Sequence, residues 1–281
     1  MISKLDHLIV AVNDLDEAER NYKKIFGVEP VWKGEHKELG TANVIFNFKN
    51  TYFELLSSKG NGLGAELVNN SISENGEGLI GQALGTEDIK ETRKLLAEKG
   101  FSISEPSEGV GENSINKEIR KWKNIFLPPE LTRGIFSFII QHTNGSLPQV
   151  EEYKISSISK LDHVVINTND ADGFINIYKN IFNIRLALDK VIEHWNTRIL
   201  FFRLNKTTIE VVEQNHKEVE PDKLWGLAWG VKSIKDTHAR LIKEGVEVTE
   251  IKQGIKEDTL VATIKSHTNN VPTLLIEQLN K

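Results

Sequence analysis

The spacing of apolar residues changes several times near the start of the chain. Leu5 to Val12 is a nearly unbroken apolar run with β-branched residues, and it stops at Asn13-Asp14, which predicts a buried strand. From Asp14, a natural N-cap, Leu15, Ala18, Tyr22, Ile25 and Phe26 fall on one face of a helix that Gly27 ends. Glu29 to Lys33, Ala42 to Lys49 and Thr51 to Leu56 then read as three further strands, with Lys49-Asn50 as the turn between the last two. The pattern is one βαβββ unit.

That unit recurs. Ile2 to His7 (ISKLDH) returns letter for letter at Ile158 to His163, an offset of 158 − 2 = 156. The same offset carries Asn13-Asp14 onto Asn169-Asp170, Tyr22 onto Tyr178, Phe26 onto Phe182, Thr41 onto Thr197 and Glu54 onto Glu210. A weaker repeat aligns Gly81 to Thr92 with Gly226 to Thr237 and runs on to Gly100 and Gly245. Repeats of this kind mark a fold built by duplicating a structural unit. The expected class is therefore α+β, with four βαβββ units forming two paired-unit open β-barrel cups and the helices outside. The first half is expected to span 1–148 (units 1–57 and 78–145) and the second 158–281 (units 158–213 and 224–281). Ser57 to Glu77, rich in Gly, Asn and Ser, and Ser104 to Lys117 read as irregular connectors, or for the former as a flap over a pocket. Trp225 and Trp229 are expected to share a face of the strand in the fourth unit and to pack in a core.

Composition narrows the partners. The 281 residues suit about two domains of about 100 to 200 residues each. The net charge of −5 comes with Lys and Arg scattered among Asp and Glu, so no basic stripe is present to neutralise phosphates and nucleic acid is not expected as a partner. The absence of Cys removes disulfides, thiolate metal sites and Cys nucleophiles. The run Leu8 to Val12 is too short for a secretory segment and no stretch is long and apolar enough for a membrane span, so no membrane partner and a cytoplasmic location are expected. A small-molecule ligand remains as the expected partner, and a homodimer is compatible with this reading.

The repeat duplicates one His and one Glu. His7 and His163 lie near the start of a first strand, and Glu54 and Glu210 lie in the last strand of the same unit among apolar neighbours. A carboxylate buried there needs a partner, because unpaired burial costs several kcal/mol or more. Two readings stand open. In one, His7 with Glu54 and His163 with Glu210 hold a divalent metal (Zn, Ni, Mn or Fe); in the other, each is a hydrogen-bonded pair in a cup without metal.

The segments LDHLIVAVNDLDEA, YKKIFG and YFELLSS resemble the vicinal-oxygen-chelate superfamily, which includes glyoxalase I, bleomycin-resistance proteins and extradiol dioxygenases. Gly34 to Asn43 (GEHKELGTAN) followed by Tyr52-Phe-Glu54-Leu-Leu is similar, more closely, to the glyoxalase-like domain family. The resemblance implies a cup whose divalent metal chelates adjacent oxygens of a substrate, with further metal ligands from the partner unit. Here the chain departs from the pattern. The corresponding positions of the partner units are Gly81 and Phe138 in the first half and Gly226 and Leu274 in the second, leaving two family-type ligands per half unless His36, Gln141 or His142 joins them.

Three functions compete on this basis. The first is glyoxalase-like lyase or isomerase chemistry, with His36 and Glu54 catalytic and Thr41 and Asn43 binding substrate. The second is metal-free binding of a small molecule in the manner of resistance proteins. The third, extradiol dioxygenation, ranks lower because no second His is in place for a two-His-one-carboxylate triad. In the second half His194 and Arg198 are the substrate-binding candidates. Arg198, taken as the counterpart of Asn43, is expected to point into the second cup and pair with Glu210. The first half, which alone carries the GEHKELGTAN block, is expected to hold the better site, lined by His7, His36, Asn43 and Glu54.

Overall fold

The computed structural model describes residues 1–193, 196–214 and 221–279. The first unit consists of β1 (Ile2–Ala11), α1 (Leu15–Phe26), β2 (Trp32–His36), β3 (Thr41–Asn47) and β4 (Tyr52–Ser58). After α2 (Leu63–Asn75) come β5 (Gly78–Thr86), α3 (Ile89–Glu98), β6 (Ser107–Glu112), β7 (Ile119–Phe126), α4 (Pro129–Thr132) and β8 (Phe136–Asn144). The second half repeats the plan. It has β9 (Ile158–Thr168), α5 (Ala171–Ile175) running into a π-helical turn (Asn176–Ile181), β10 (Arg185–Ile192), β11 (Thr197–Leu204), β12 (Thr207–Glu213), β13 (Lys223–Val231), α6 (Ile234–Lys243), β14 (Lys252–Gln253), β15 (Thr259–Ile264) and β16 (Thr273–Gln278).

The caps explain where α1 stands. Asp14 accepts a hydrogen bond from the Glu17 N–H, and Gly27 takes the left-handed conformation (φ 68°) that ends the helix. Its buried face, Tyr22, Ile25 and Phe26, carries the predicted spacing. The strand expected over Glu29 to Lys33 begins instead at Trp32, just past Pro30, which has no N–H for a ladder.

Each half is one eight-stranded sheet, ordered β2-β3-β4-β1-β5-β8-β7-β6 and β10-β11-β12-β9-β13-β16-β15-β14. The central strand β1 runs parallel to β4 and antiparallel to β5, and β9 likewise to β12 and β13. The first sheet nearly closes. Asn113 and Ser114, just beyond β6, reach the edge strand β2, with Ser114 N–H donating to the Lys33 carbonyl at 2.8 Å and Asn113 Nδ2 to the Val31 carbonyl at 3.3 Å. No such stitch joins β10 to β14 among the described residues.

The connector expected to be irregular over Ser57 to Glu77 contains the helix α2. Ala65, Val68 and Ile72 recur at helical spacing, and Val68 and Ile72 pack into the concave side of the first sheet against Ile9, Ala11, Leu56, Phe138 and Ile140. Its start is anchored by the Ala65 N–H on the Leu39 carbonyl at 2.9 Å. Gly40 (φ 67°) makes this approach feasible, since a Cβ there would sit 2.5 Å from the Asn61 carbonyl oxygen. The Ser104 to Lys117 stretch likewise holds a strand, β6.

On the convex sides the helices share one core between the halves. Trp229 lies at its junction, with ring centroids 4.9 Å from Phe26, 4.7 Å from Phe48 and 5.9 Å from Phe53. Trp225 does not share its face. Trp225 is itself the extra residue at the register shift between Leu224 and Gly226 in β13, which breaks the alternation and leaves Trp225 52% exposed and Trp229 1%. Trp229→Ala should therefore destabilise the fold by about 3–5 kcal/mol in urea denaturation, and Trp225→Ala by less than about 0.5 kcal/mol. Equal losses for the two variants would contradict this account of the inter-half core.

Candidate functional site

Register places the repeated His and Glu on the concave face. In β1 and β4, His7 is paired with Tyr52 and Ile9 with Glu54, and the second half repeats this as His163 with Thr208 and Val165 with Glu210. The side chains meet. His7 Nε2 lies 3.4 Å from Glu54 Oε2, and His163 Nε2 lies 3.4 Å from Glu210 Oε2.

A third residue, which the sequence reading passed over, completes each pair. Strict alternation would send Asp6 to the face opposite His7. The register shift between Leu5 and His7 bends the strand instead, and Asp6 Oδ1 sits 2.9 Å from His7 Nδ1. Asp162 stands 3.1 Å from His163 Nδ1 in the same way. The last strand of each half adds one more contact to this Asp: His142 Nε2 at 3.1 Å in the first half, and Gln278 Nε2 donating at 3.1 Å in the second. The signal was available in the repeated triplet Leu-Asp-His.

Burial alone would push the Asp6 carboxyl up, but hydrogen bonds from His142 and His7, reinforced by their charge, hold it well below the usual range. Asp162 is shifted the same way against its own burial, by His163 and by the charges of Lys160 and Lys256. An ionised Asp only accepts hydrogen bonds, so the His Nδ1 must be the donor and Nε2 is left facing the Glu. Each Asp–His–Glu row is thus an acid–base unit with its His orientation fixed from behind.

The two rows differ in setting. In the first half Asn43 Nδ2 donates to Glu54 Oε1 at 2.6 Å, and the His7 ring stacks on Tyr52 at 4.3 Å with Phe138 edge-on at 5.6 Å. His7, Asn43 and Glu54 are all buried, beneath a concave side that α2 fills. His36 and Thr41 share that face of β2 and β3 but lie toward its end, His36 Nδ1 being 3.0 Å from Thr41 Oγ1 and its ring 6.2 Å from Trp122. The second row is more open, with the side chains of His163 and Glu210 18% and 21% exposed. Burial raises the Glu210 carboxyl above the usual range, only partly offset by His163.

Arg198 does not enter the second cup. The ladder matches Ile199, not Arg198, to the position of Asn43, since Asn43 pairs with Leu56 and Ile199 with Val212. A shift of one residue turns a strand side chain to the other face. Arg198 accordingly points outward, bonding both Asp189 carboxylate oxygens at 2.8 Å and Asp172 at 2.8 Å. His194 lies outside the described residues.

The donor set does not fit a resident divalent ion. Among the described residues no group of three or more His, Asp or Glu is arranged to hold a metal. A Cβ at Gly81 would meet the Phe136 ring at 2.6 Å, and one at Gly226 the Pro272 carbonyl oxygen at 2.7 Å, so neither position has room for a third ligand. His142 is committed to Asp6, and Gln141 bonds the Glu87 carbonyl and the Ile89 N–H at the start of α3. Two donors hold a divalent ion poorly.

The description "Glyoxalase-like domain" matches residues 5–182, and "Glyoxalase/Bleomycin resistance protein/Dioxygenase superfamily" matches residues 162–263. The mitochondrial methylmalonyl-CoA epimerase of Dictyostelium discoideum is 30% identical over 138 residues, covering 48% of this chain and 75% of that protein. Among solved structures, a triple mutant of 4-hydroxymandelate synthase from Streptomyces coelicolor superposes with a TM-score of 0.68 at 12% identity, over 99% of this chain and 93% of that one. The Mn(II)-bound glyoxalase from Novosphingobium aromaticivorans gives 0.65 at 14% identity, over 99% and 83%. A hypothetical protein from Staphylococcus aureus gives 0.66 at 15% identity, over 98% and 100%. At these identities the likeness is one of fold.

The opposite shifts of Asp6 and Glu210 predict opposite pH signatures. A depressed carboxyl contributes stability above its unfolded value, about 3.9 for Asp, and loses it as pH falls through the folded value. Asp6→Asn should therefore cost about 3 kcal/mol at pH 7, and the gap should narrow in acid. A raised carboxyl contributes stability below its unfolded value, about 4.3 for Glu, and loses it as pH rises through the folded value. Glu210→Gln should thus stabilise the fold at pH 7, with the gain vanishing below about pH 4. Urea denaturation across that range checks both signs.

Proposed function

The chain belongs to the glyoxalase-like domain family, and on that premise we propose that it binds a small organic molecule in the second cup, where His163 and Glu210 meet the ligand's oxygen. The observation that carries this reading is the accessibility of the second Asp–His–Glu row beside the burial of the first. Val165, Ile199, Phe201 and Leu274 surround the pair with apolar surface, and a mostly apolar hollow with a few convergent polar groups is the usual form of a small-molecule site. The first row, with His36, Thr41, Asn43 and Glu54, takes a ligand in this proposal only when α2 moves off the concave face.

Binding is proposed without a resident metal, because each row supplies two donors. The Asp fixes the His, and the His–Glu pair offers a hydrogen bond or a proton to a carbonyl oxygen. A second reading is proton transfer at a carbon beside that carbonyl, favoured by the raised Glu210 carboxyl, since a base works best when its pKa lies closer to the operating pH. The epimerase among the relatives is in keeping with it.

A screen of small carbonyl compounds by protein-observed NMR tests the proposal. Hits should perturb resonances of β9 and β12, and His163→Ala should weaken them about 10-fold or more, with little change in His7→Ala. Hits that survive His163→Ala and vanish in His7→Ala would place the site in the first half. Protein challenged with Zn, Ni, Mn and Fe should retain no stoichiometric ion by elemental analysis after desalting, and retention of one would overturn the metal-free reading.

A further inference from the structure

A cleft of about 370 Å³ opens beside the first row, at the end of the first sheet away from α2, where the β3–β4 turn, β7, β8 and the segment after β8 converge. Lys4, Lys49 and Arg120 line it as cations, and the one carboxylate in its wall among the described residues, Asp6, is already engaged by Lys4 at 2.9 Å and by His7 and His142. Arg120 is the unusual group. Its side chain is buried, the residue being 5% exposed, yet no carboxylate pairs with it among the described residues. A terminal nitrogen donates to His142 Nδ1 at 3.3 Å and the guanidinium also engages the Tyr52 hydroxyl, while its Nε is buried with no acceptor among the described residues. The guanidinium lies over the rings of Trp32 at 5.3 Å and Tyr52 at 5.6 Å, which hold its plane fixed.

A buried cation without a counter-ion is costly, and a planar guanidinium held in place by two rings is organised for a planar oxyanion. We propose that this cleft binds a small organic carboxylate, whose oxygens take the free donors of Arg120 while Lys49 at the rim draws it in. The two positively charged side chains not engaged by Asp6 set the sign of the ligand, and the guanidinium fork matches the paired oxygens of a carboxylate, which the phosphate titration below tests against a phosphate. The site is separate from the proposed cup. It reaches the first row through Asp6, which bonds both His142 in the cleft wall and His7.

Titration calorimetry of the full chain with succinate, and in parallel with inorganic phosphate, tests the proposal. Succinate should bind saturably, with affinity falling about 30-fold or more in Arg120→Lys and a few-fold in Lys49→Glu, whose side chain is exposed and whose fold should be intact. In the wild type the assigned Arg120 Nε–H resonance should shift on addition of succinate, a readout that does not depend on the Arg120 variant folding. No saturable succinate binding, saturation by phosphate alone, an unmoved Arg120 resonance, or unchanged affinity in Lys49→Glu would each overturn the assignment.

Discussion

The parallel pairing of β1 with β4, repeated by β9 with β12, is the constraint from which the rest of the architecture follows. Two parallel neighbours cannot be joined by a hairpin, so the chain must leave β1, cross one face of the sheet and return. The crossover helix takes the convex face, which forces the apolar stripe of α1 and the outer sides of β3 and β4 into a common core. The concave face is left for side chains with another purpose. The pairing also sets a register in which the Glu lies two residues beyond the position opposite the His, bringing the two within contact in both halves.

Much of this was legible in the amino-acid sequence because apolar patterning and an internal repeat carry it. Apolar strand runs bounded by turn residues, a helix stripe ending at Gly27 and the offset of 156 give the units, and the shared Leu-Asp-His and Glu give the pair. What escaped the reading did so for identifiable reasons. Asp6 was hidden because alternation assumes an unbroken strand, and a bulge moves it beside His7. The same assumption put Trp225 and Trp229 on one face. Arg198 was misplaced by a slip of a single residue, which on a strand reverses the side chain's direction. The helix α2 was obscured by its composition: Gly, Asn and Ser argue for loop, and its three apolar contacts at Ala65, Val68 and Ile72 gain their meaning only from the concave face beneath them.

The two copies of the row have diverged in surroundings while keeping their chemistry. In the first, Asn43 satisfies one Glu oxygen, Tyr52 and Phe138 enclose the His, and α2 adds apolar cover. A polar row enclosed in this way serves the fold when every member is satisfied, and Asp6, bonded by Lys4, His7 and His142, meets that condition. In the second, Ile199 replaces the amide of Asn43, so among the described residues Glu210 faces only His163, and burial raises its carboxyl.

That contrast bears on why duplication suits this fold. Each half alone would have to serve both as a core and as an accessible hollow, and these demands conflict, because cover that dries a polar row also denies a ligand entry. With two halves sharing the helix-side core around Trp229, the nearly closed first sheet can supply rigidity while the open second sheet keeps its concave face available. The stitch of Asn113 and Ser114 onto β2 and the clamp of α2 concentrate the cover in one half. Glu77, just past α2, carries that rigidity into the other, accepting from the Asn13 N–H at 2.7 Å and from Asn269 at 2.8 Å in the second half. The second row thus stays accessible because its support comes from outside its own cup.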